Sequence, residues 1–225
     1  MGLKESGLRG SLRSVSTDVG IPDSGVTFEE YTTGDTPGDW TVRWASADAD
    51  WNVREDSELE GGKYLEQDAP QQRNAISWDD IGTATDIEVF FRGRAINAGT
   101  NSDILGGRVR GSGGDGTETG YTARLQTDGG IGIGKYVDGN FSEVQTGSFS
   151  MSENTLYNVR FRAEDSDLKL RVWEDGTEEP SSWTVEATDS EITDAGWAGL
   201  GHFRDNVGDY DVFSYATGGD SAPVL

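Results

Sequence analysis

Between Tyr157 and Tyr215 the apolar residues recur at every second position, the period of a strand with one face buried and the other solvated. Val159, Phe161 and Ala163 share one side and Arg160 and Arg162 the other. Beyond the polar turn Glu164-Asp165-Ser166-Asp167, Leu168, Leu170 and Val172 repeat the pattern opposite Lys169 and Arg171. Trp183, Val185 and Ala187, then Leu200, then Val212 and Phe213 continue it. Further short strands are expected near Val26–Tyr31, Thr41–Ala45, Tyr64–Gln67, Ala75–Trp78, Asp86–Ala95, Ile104–Arg110, Tyr121–Leu125, Ile131–Lys135 and Phe141–Thr146. Strands about ten residues apart, punctuated by Asp, Gly and Pro turns, predict an all-β sandwich or barrel. Phe91, Val109, Phe161, Leu170 and Val172 should lie in its core, with Arg160, Arg162 and Lys169 outside. The glycine-rich runs Gly111–Gly116 and Asp128–Gly134 read as tight turns.

Three stretches carry a family resemblance: Tyr157–Glu164 (YNVRFRAE), Leu168–Trp183 (LKLRVWEDGTEEPSSW) and Ala195–Phe203 (AGWAGLGHF). Together they resemble the back half of concanavalin A-like, laminin-G-like jelly-roll domains. Val26–Trp40 is similar to the opening strand and turn of that family, and Asp209–Gly219 to its closing strand. The resemblance implies a two-sheet antiparallel jelly roll over residues 25–218. It leaves residues 1–24 as an N-terminal arm and 219–225 as a short C-terminal tail. It implies little about activity, because one fold hosts many functions.

Composition alone points elsewhere. Leu, Ile, Val and Phe make up 44 of 225 residues and the net charge is −23, a balance typical of disordered chains. The 22 aromatic residues, set within alternating patterns, argue for a packed fold instead. Acidic residues outnumber basic ones 41 to 18, and only four of the 18 are Lys. That balance resembles proteins of extreme halophiles, in which strong salt screens the self-repulsion of a crowded acidic surface. Nucleic acid is disfavoured as a partner, since phosphate binding needs a basic footprint. No Cys is present, which excludes disulfides and thiolate chemistry. No apolar run approaches membrane-spanning length.

The arm runs against the overall charge. Lys4, Arg9 and Arg13 outweigh Glu5, and Leu3, Leu8 and Leu12 are spaced as apolar pegs. Met1–Ser16 resembles N-terminal arms in structural proteins of tailed viruses of halophilic archaea. The reading is an assembly anchor through Lys4, Leu8, Arg9, Leu12 and Arg13, which would make the protein a homo-oligomer associated with other virion proteins.

Catalysis on such a fold usually means glycoside hydrolysis by paired carboxylates. Laminarinase-type sandwich enzymes carry a strand motif E-x-D-x-x-E, and the nearest match is Asp86-Ile87-Glu88-Val89-Phe90-Phe91. Phe91 stands where the third carboxylate belongs, so no acid protonates the leaving group. His202 is the only His and no G-x-S-x-G elbow occurs. No catalytic residue is therefore assigned, and the chain reads as a non-enzyme. Glu29, Glu30, Asp209 and Asp211, on the expected first and last strands, are candidate oxygen ligands for a structural Ca2+.

Eight of the fourteen Arg residues fall in expected central strands: Arg92, Arg94, Arg108, Arg110, Arg124, Arg160, Arg162 and Arg171. Most are placed opposite the apolar face, so they should line the outer surface of one sheet. Two readings follow. One is a ladder of cross-strand Arg–carboxylate pairs, with Glu88 and Glu143 as partners. The other is a surface for acidic glycans, in which Arg92, Arg108, Arg124 and Arg160 converge and Trp173 stacks on a sugar. The combined expectation is a non-catalytic, lectin-like structural protein of a halophilic virus particle that touches host glycans. A carbohydrate-binding adhesin module at a cell surface is the alternative, and a degenerate glycoside hydrolase a further one.

Overall fold

The computed structural model describes residues 24–44, 50–68, 73–96, 103–126, 128–203 and 207–225. Lys4, Leu8, Arg9, Leu12 and Arg13 of the arm lie outside the described residues, as does the side chain of His202. In chain order the strands are β1 (Gly25–Val26), β2 (Trp40–Trp44), β3 (Asp50–Glu55), β4 (Lys63–Asp68), β5 (Arg73–Trp78), β6 (Ile87–Ile96), β7 (Asp103–Leu105) and β8 (Gly107–Ser112). They continue as β9 (Thr119–Gln126), β10 (Gly130–Val137), β11 (Asn140–Ser148), β12 (Tyr157–Glu164), β13 (Asp167–Glu174), β14 (Val185–Thr188), β15 (Trp197–Phe203) and β16 (Val207–Thr217). Helix among the described residues is confined to two single 3-10 turns, Glu60–Gly62 and Asp79–Ile81.

The strands form two eight-stranded antiparallel sheets. Sheet I runs β14-β13-β12-β6-β16-β4-β3, with β1 pairing β16. Sheet II runs β11-β10-β9-β7-β15-β5-β2, with β8 pairing both β9 and β15. Alternation decides what faces inward. On sheet I, Val159 pairs with Phe91 and Phe161 with Val89 and Leu170, and all five are buried. They meet Val109, Tyr121, Ile133 and Leu200 of sheet II in one core. Phe91, Val109, Phe161, Leu170 and Val172 thus lie where the alternation placed them. Truncating Phe91 or Phe161 to Ala typically costs about 3–5 kcal/mol, because the lost contacts leave a cavity.

Several strand expectations are corrected by local geometry. The strand expected over Val26–Tyr31 stops at Val26, because Phe28 takes a left-handed backbone (φ 63°) that turns its ring into the core. The strand expected over Ile104–Arg110 divides into β7 and β8 at Gly106, where backbone packs so close that a Cβ would stand 2.6 Å from the Gly201 carbonyl oxygen. Asp128–Gly134 is mostly strand: Gly130, Gly132 and Gly134 alternate with Ile131 and Ile133 along β10. Gly111–Gly116 does turn, with positive φ at Gly113 and Gly116. Arg110 does not line an outer surface. Its buried guanidinium donates to the carbonyl oxygens of Thr85, Ile192 and Asp165 at 2.6–2.9 Å, closing one end of the sandwich.

Candidate functional site

The outer face of sheet I is a charge ladder under a lid. Glu88, 1% exposed, accepts hydrogen bonds from Arg160 and from Arg162 Nε, and also from the Ala222 backbone N–H at 3.0 Å. Arg160 continues to Glu179, which Arg171 also engages. Burial pushes the Glu179 carboxyl up, but the two arginine bonds outweigh it and hold the group below the usual carboxylate range. Arg171 in turn lies over the Trp183 ring, 4.1 Å from its centroid. The C-terminal residues form the lid. Ala222 O accepts from Arg160 Nη1 at 2.7 Å, and Ala222 packs with Phe90, Trp173 and Val212 in a small buried cluster. Arg160 is therefore outside the inter-sheet core, as expected, but not at a solvated surface.

Two acids of β16 belong to the same ladder. Asp211 pairs with Arg92 at 2.6 Å and Asp209 with Arg94 at 3.0 Å. Burial raises both carboxyls, and for Asp209 it overrides the neighbouring guanidinium and lifts the group to about 6. The proposed oxygen ligands for a cation are thus engaged with arginine at Asp209 and Asp211, while Glu29 sits exposed in the turn after β1. Among the described residues no group of three or more metal-capable side chains is close enough to share an ion.

The outer face of sheet II is built differently. Gly201 of β15, Gly132 and Gly134 of β10 and Gly111 of β8 clear space for neighbouring side chains, whereas Gly199 accommodates the close approach of the β5 backbone, 2.1 Å from the Ile76 carbonyl oxygen to a Cβ placed there. A Cβ at Gly134 would stand 2.5 Å from the Phe141 ring, and one at Gly111, 2.3 Å from the Trp197 indole. Four aromatic rings follow one another here at steep angles, 56–69° between neighbouring planes. Trp197 meets Trp44 at 5.4 Å between centroids, Trp44 meets Tyr136 at 5.8 Å, and Tyr136 meets Phe141 at 5.2 Å. Three of the rings are buried by one another and their arginines, whereas Phe141 is 40% exposed and forms the open end.

Arginines accompany the rings throughout. Arg43 lies over Trp197 at 5.7 Å, and Arg124 lies over Phe141 at 4.6 Å while pairing with Glu143. Arg108 is 5.0 Å from the centroids of both Trp44 and Tyr136. On its other side is Gly201, where a Cβ would come within 2.2 Å of Nε. The guanidinium is therefore held between a glycine floor and two ring neighbours. Cation–π attraction of this kind contributes about 0.5–2 kcal/mol per contact.

The expected glycan set is not brought together. Arg92, Arg160 and Trp173 belong to sheet I and Arg108 and Arg124 to sheet II, on opposite outer faces of the sandwich. The reason is topological: after β6 the chain crosses to the other sheet, where β7, β8 and β9 lie. Trp173 packs on Phe90 under the C-terminal lid and is not poised for stacking. Asp86 and Glu88 do not open onto a cleft, since Glu88 is enclosed by Arg160, Arg162 and Ala222. Trp44, Tyr136, Phe141 and Trp197 did not emerge from the sequence as a group. Their signal was the alternation Gly-Ile-Gly-Ile-Gly in β10 and Trp-Ala-Gly-Leu-Gly in β15, which marks a strand face kept bare for a neighbour's ring.

Against this geometry the chain can be set beside known proteins. No protein-family model and no curated protein matches it. Solved structures do. The carbohydrate-binding module CBM66 from Bacillus subtilis superposes with a TM-score of 0.57 at 16% identity, over 83% of this chain and 99% of that one. The mannose- and Ca2+-bound exoplasmic/lumenal domain of VIP36 superposes with a TM-score of 0.57 at 10% identity, over 90% of this chain and 96% of that one. A xylan β-1,4-xylosidase from Bacillus halodurans superposes with a TM-score of 0.53 at 12% identity, and the match takes in 95% of this chain but 40% of the enzyme. The fold is thus the lectin-like jelly-roll sandwich, seen also in carbohydrate-binding modules.

Proposed function

We propose that this protein is a non-catalytic carbohydrate-binding domain that takes its ligand on the outer face of sheet II. The carrying observation is the continuous row of rings Trp197–Trp44–Tyr136–Phe141 laid over a glycine floor and flanked by Arg43, Arg108 and Arg124. Of the four rings Phe141 is the one open to the C–H face of a sugar, with the three buried rings as its support, and arginine forks suit hydroxyls and acidic substituents. Phe141 and Arg124 form the accessible end at which a glycan first makes contact. The fold shared with the CBM66 module supports the reading, as does the capture of Glu88 by two arginines, which leaves the nearest hydrolase-like motif without a free acid. The test is a glycan array followed by calorimetry in multimolar salt. Phe141→Ala should weaken binding at least tenfold while the domain stays folded, and unchanged affinity would remove this face from consideration.

The setting we carry with this reading is a virus particle in a strongly saline habitat, with host-surface glycans as targets and residues 1–24 as the homo-oligomerising anchor. It rests on the resemblance of Met1–Ser16 and on the charge balance. A cell-surface adhesin module accounts for the same fold. Deleting residues 1–19 separates the two: loss of particle incorporation with intact glycan binding supports the anchor, and undiminished incorporation refutes it.

A further inference from the structure

Ten arginines lie among the described residues with their side chains in place, and nine of them have a carboxylate within 4 Å. Arg108 is the exception. It is 3% exposed, and its Nε and Nη1 are buried without a hydrogen-bond partner. In a chain with 41 acids, an arginine without one among the described residues is not explained by scarcity of partners. The two ring neighbours attract the guanidinium's charge, but a π-face does not replace the in-plane acceptors that its N–H groups require. A buried charge with unmet donors is costly, and the ordinary resolution is an anion or an acceptor placed in the plane of the fork.

We infer that Arg108 is the seat of a singly charged anion, bound in the plane of its guanidinium beside Trp44 and Tyr136. The surroundings fit such a guest. Gly201 lets the Arg108 side chain lie close against β15 with Nε and Nη1 left without partners, and Trp44 and Tyr136 exclude water so that the charge interaction is little screened. Two sources share this chemistry: a free halide drawn from concentrated salt, or the carboxylate of an acidic sugar. The second rests on the glycan reading and would make the ligand of sheet II a uronic-acid-bearing glycan. The first stands without it.

The experiment compares wild type with Arg108→Met, which keeps the unbranched stem of the side chain and removes the charge. Thermal melts are run in sodium chloride, in sodium glucuronate and in neutral glucose, at matched ionic strength. General salt effects are common to both proteins, so the difference between them reports the site. Wild type should gain a saturable rise of about 2–4 °C from chloride, glucuronate or both, and Arg108→Met should gain none of it. Gain from both marks a general small-anion site, and gain from glucuronate alone assigns the anion to the ligand. Equal behaviour of the two proteins in every arm overturns the inference. Bromide-soaked crystals of the wild type provide a readout that does not depend on the variant folding: a halide peak beside the Arg108 fork supports the site. Absence of that peak, together with no response to glucuronate, also refutes it. Loss of glycan binding in Phe141→Ala tests the glycan reading separately.

Discussion

Asp209 Oδ2 accepts a hydrogen bond from Arg94 Nε at 3.0 Å, yet the Asp209 carboxyl is pushed up to about 6. Burial is the larger influence, and the arginine only partly offsets it. Oδ1 of the same carboxylate is buried without a partner, and Glu66 and Asp56 add like charge. Close pairing with a cation therefore does not make this acid comfortable as an anion.

A stability consequence follows with a definite sign. Because the folded-state value lies above the ordinary carboxylate value, the native protein keeps a proton that the unfolded chain has released between about pH 4 and 6. Stability must fall as pH rises through that window. Asp209→Asn removes the titration, so the variant should lose less stability over that range than wild type, by about 2–3 kcal/mol. Asp211, raised in the same direction, remains and leaves a residual slope. Urea unfolding at stepped pH measures both curves, and parallel curves would contradict the assignment.

Glu88 should be among the most damaging positions for a single polar substitution. It holds Arg160, Arg162 and the backbone N–H of Ala222 at once. Glu88→Ala leaves two guanidinium groups short of their shared acceptor, and removing one partner of a buried pair costs about 3–5 kcal/mol. Glu88→Gln still offers an acceptor to Ala222 and should cost less. Hydrogen exchange at the Ala222 amide provides the local readout: it should quicken in Glu88→Ala before global unfolding. A protected amide in that variant would mean that the lid is held by its packing and by the bonds to the Ala222 and Pro223 carbonyl oxygens without Glu88.

How far these features could be read in advance depends on the range over which each is determined. The core was legible because alternation is local: Phe161 and Leu170 declare their side within a five-residue window. Glu88 and Glu143 were legible as carboxylate partners of the arginine set, since opposite charges of like parity meet across a sheet; Glu88 does so with Arg160 and Arg162 on adjacent strands, and Glu143 reaches Arg124 across the glycines of β10. Strand β3 carried a readable signal in Trp51 and Val53 that the expected strand set omitted. What could not be read was the sheet to which each strand belongs. Arg92 and Arg108 look alike in sequence, but the chain crosses the sandwich between them, and one becomes part of a salt-bridge ladder while the other is buried beside Trp44 and Tyr136. The arm cannot be compared, because it lies outside the described residues.

The charge balance predicts a strong salt dependence of folding. A net charge of −23 survives the internal pairing of most described arginines, so the acidic excess acts over the whole surface. Screening shortens to about 3 Å near 1 M salt, where that repulsion largely vanishes. The melting temperature followed by circular dichroism should rise steadily from low to multimolar KCl. A flat profile would show that the acidic surface exerts no stability cost and would remove the physical basis for a halophilic setting.

Gly201 provides the most direct probe of how Arg108 is held. A Cβ at this position would stand 2.2 Å from Nε, 2.9 Å from Cγ and 3.1 Å from Cδ of Arg108, so Gly201→Ala cannot leave that side chain in place. The arginine must lift from the sheet and lose its alignment with Trp44 and Tyr136. Overpacking of this kind costs about 1–3 kcal/mol. If the clash with Arg108 is the cause, deleting the arginine should relieve it, and Gly201→Ala should cost distinctly less in an Arg108→Ala background. The double-mutant cycle should then show coupling of about 1 kcal/mol or more, as expected for residues in direct contact. Additive effects would instead mean that Ala at 201 disturbs the β15 backbone itself, and that the glycine is retained for the strand and not to make room for Arg108.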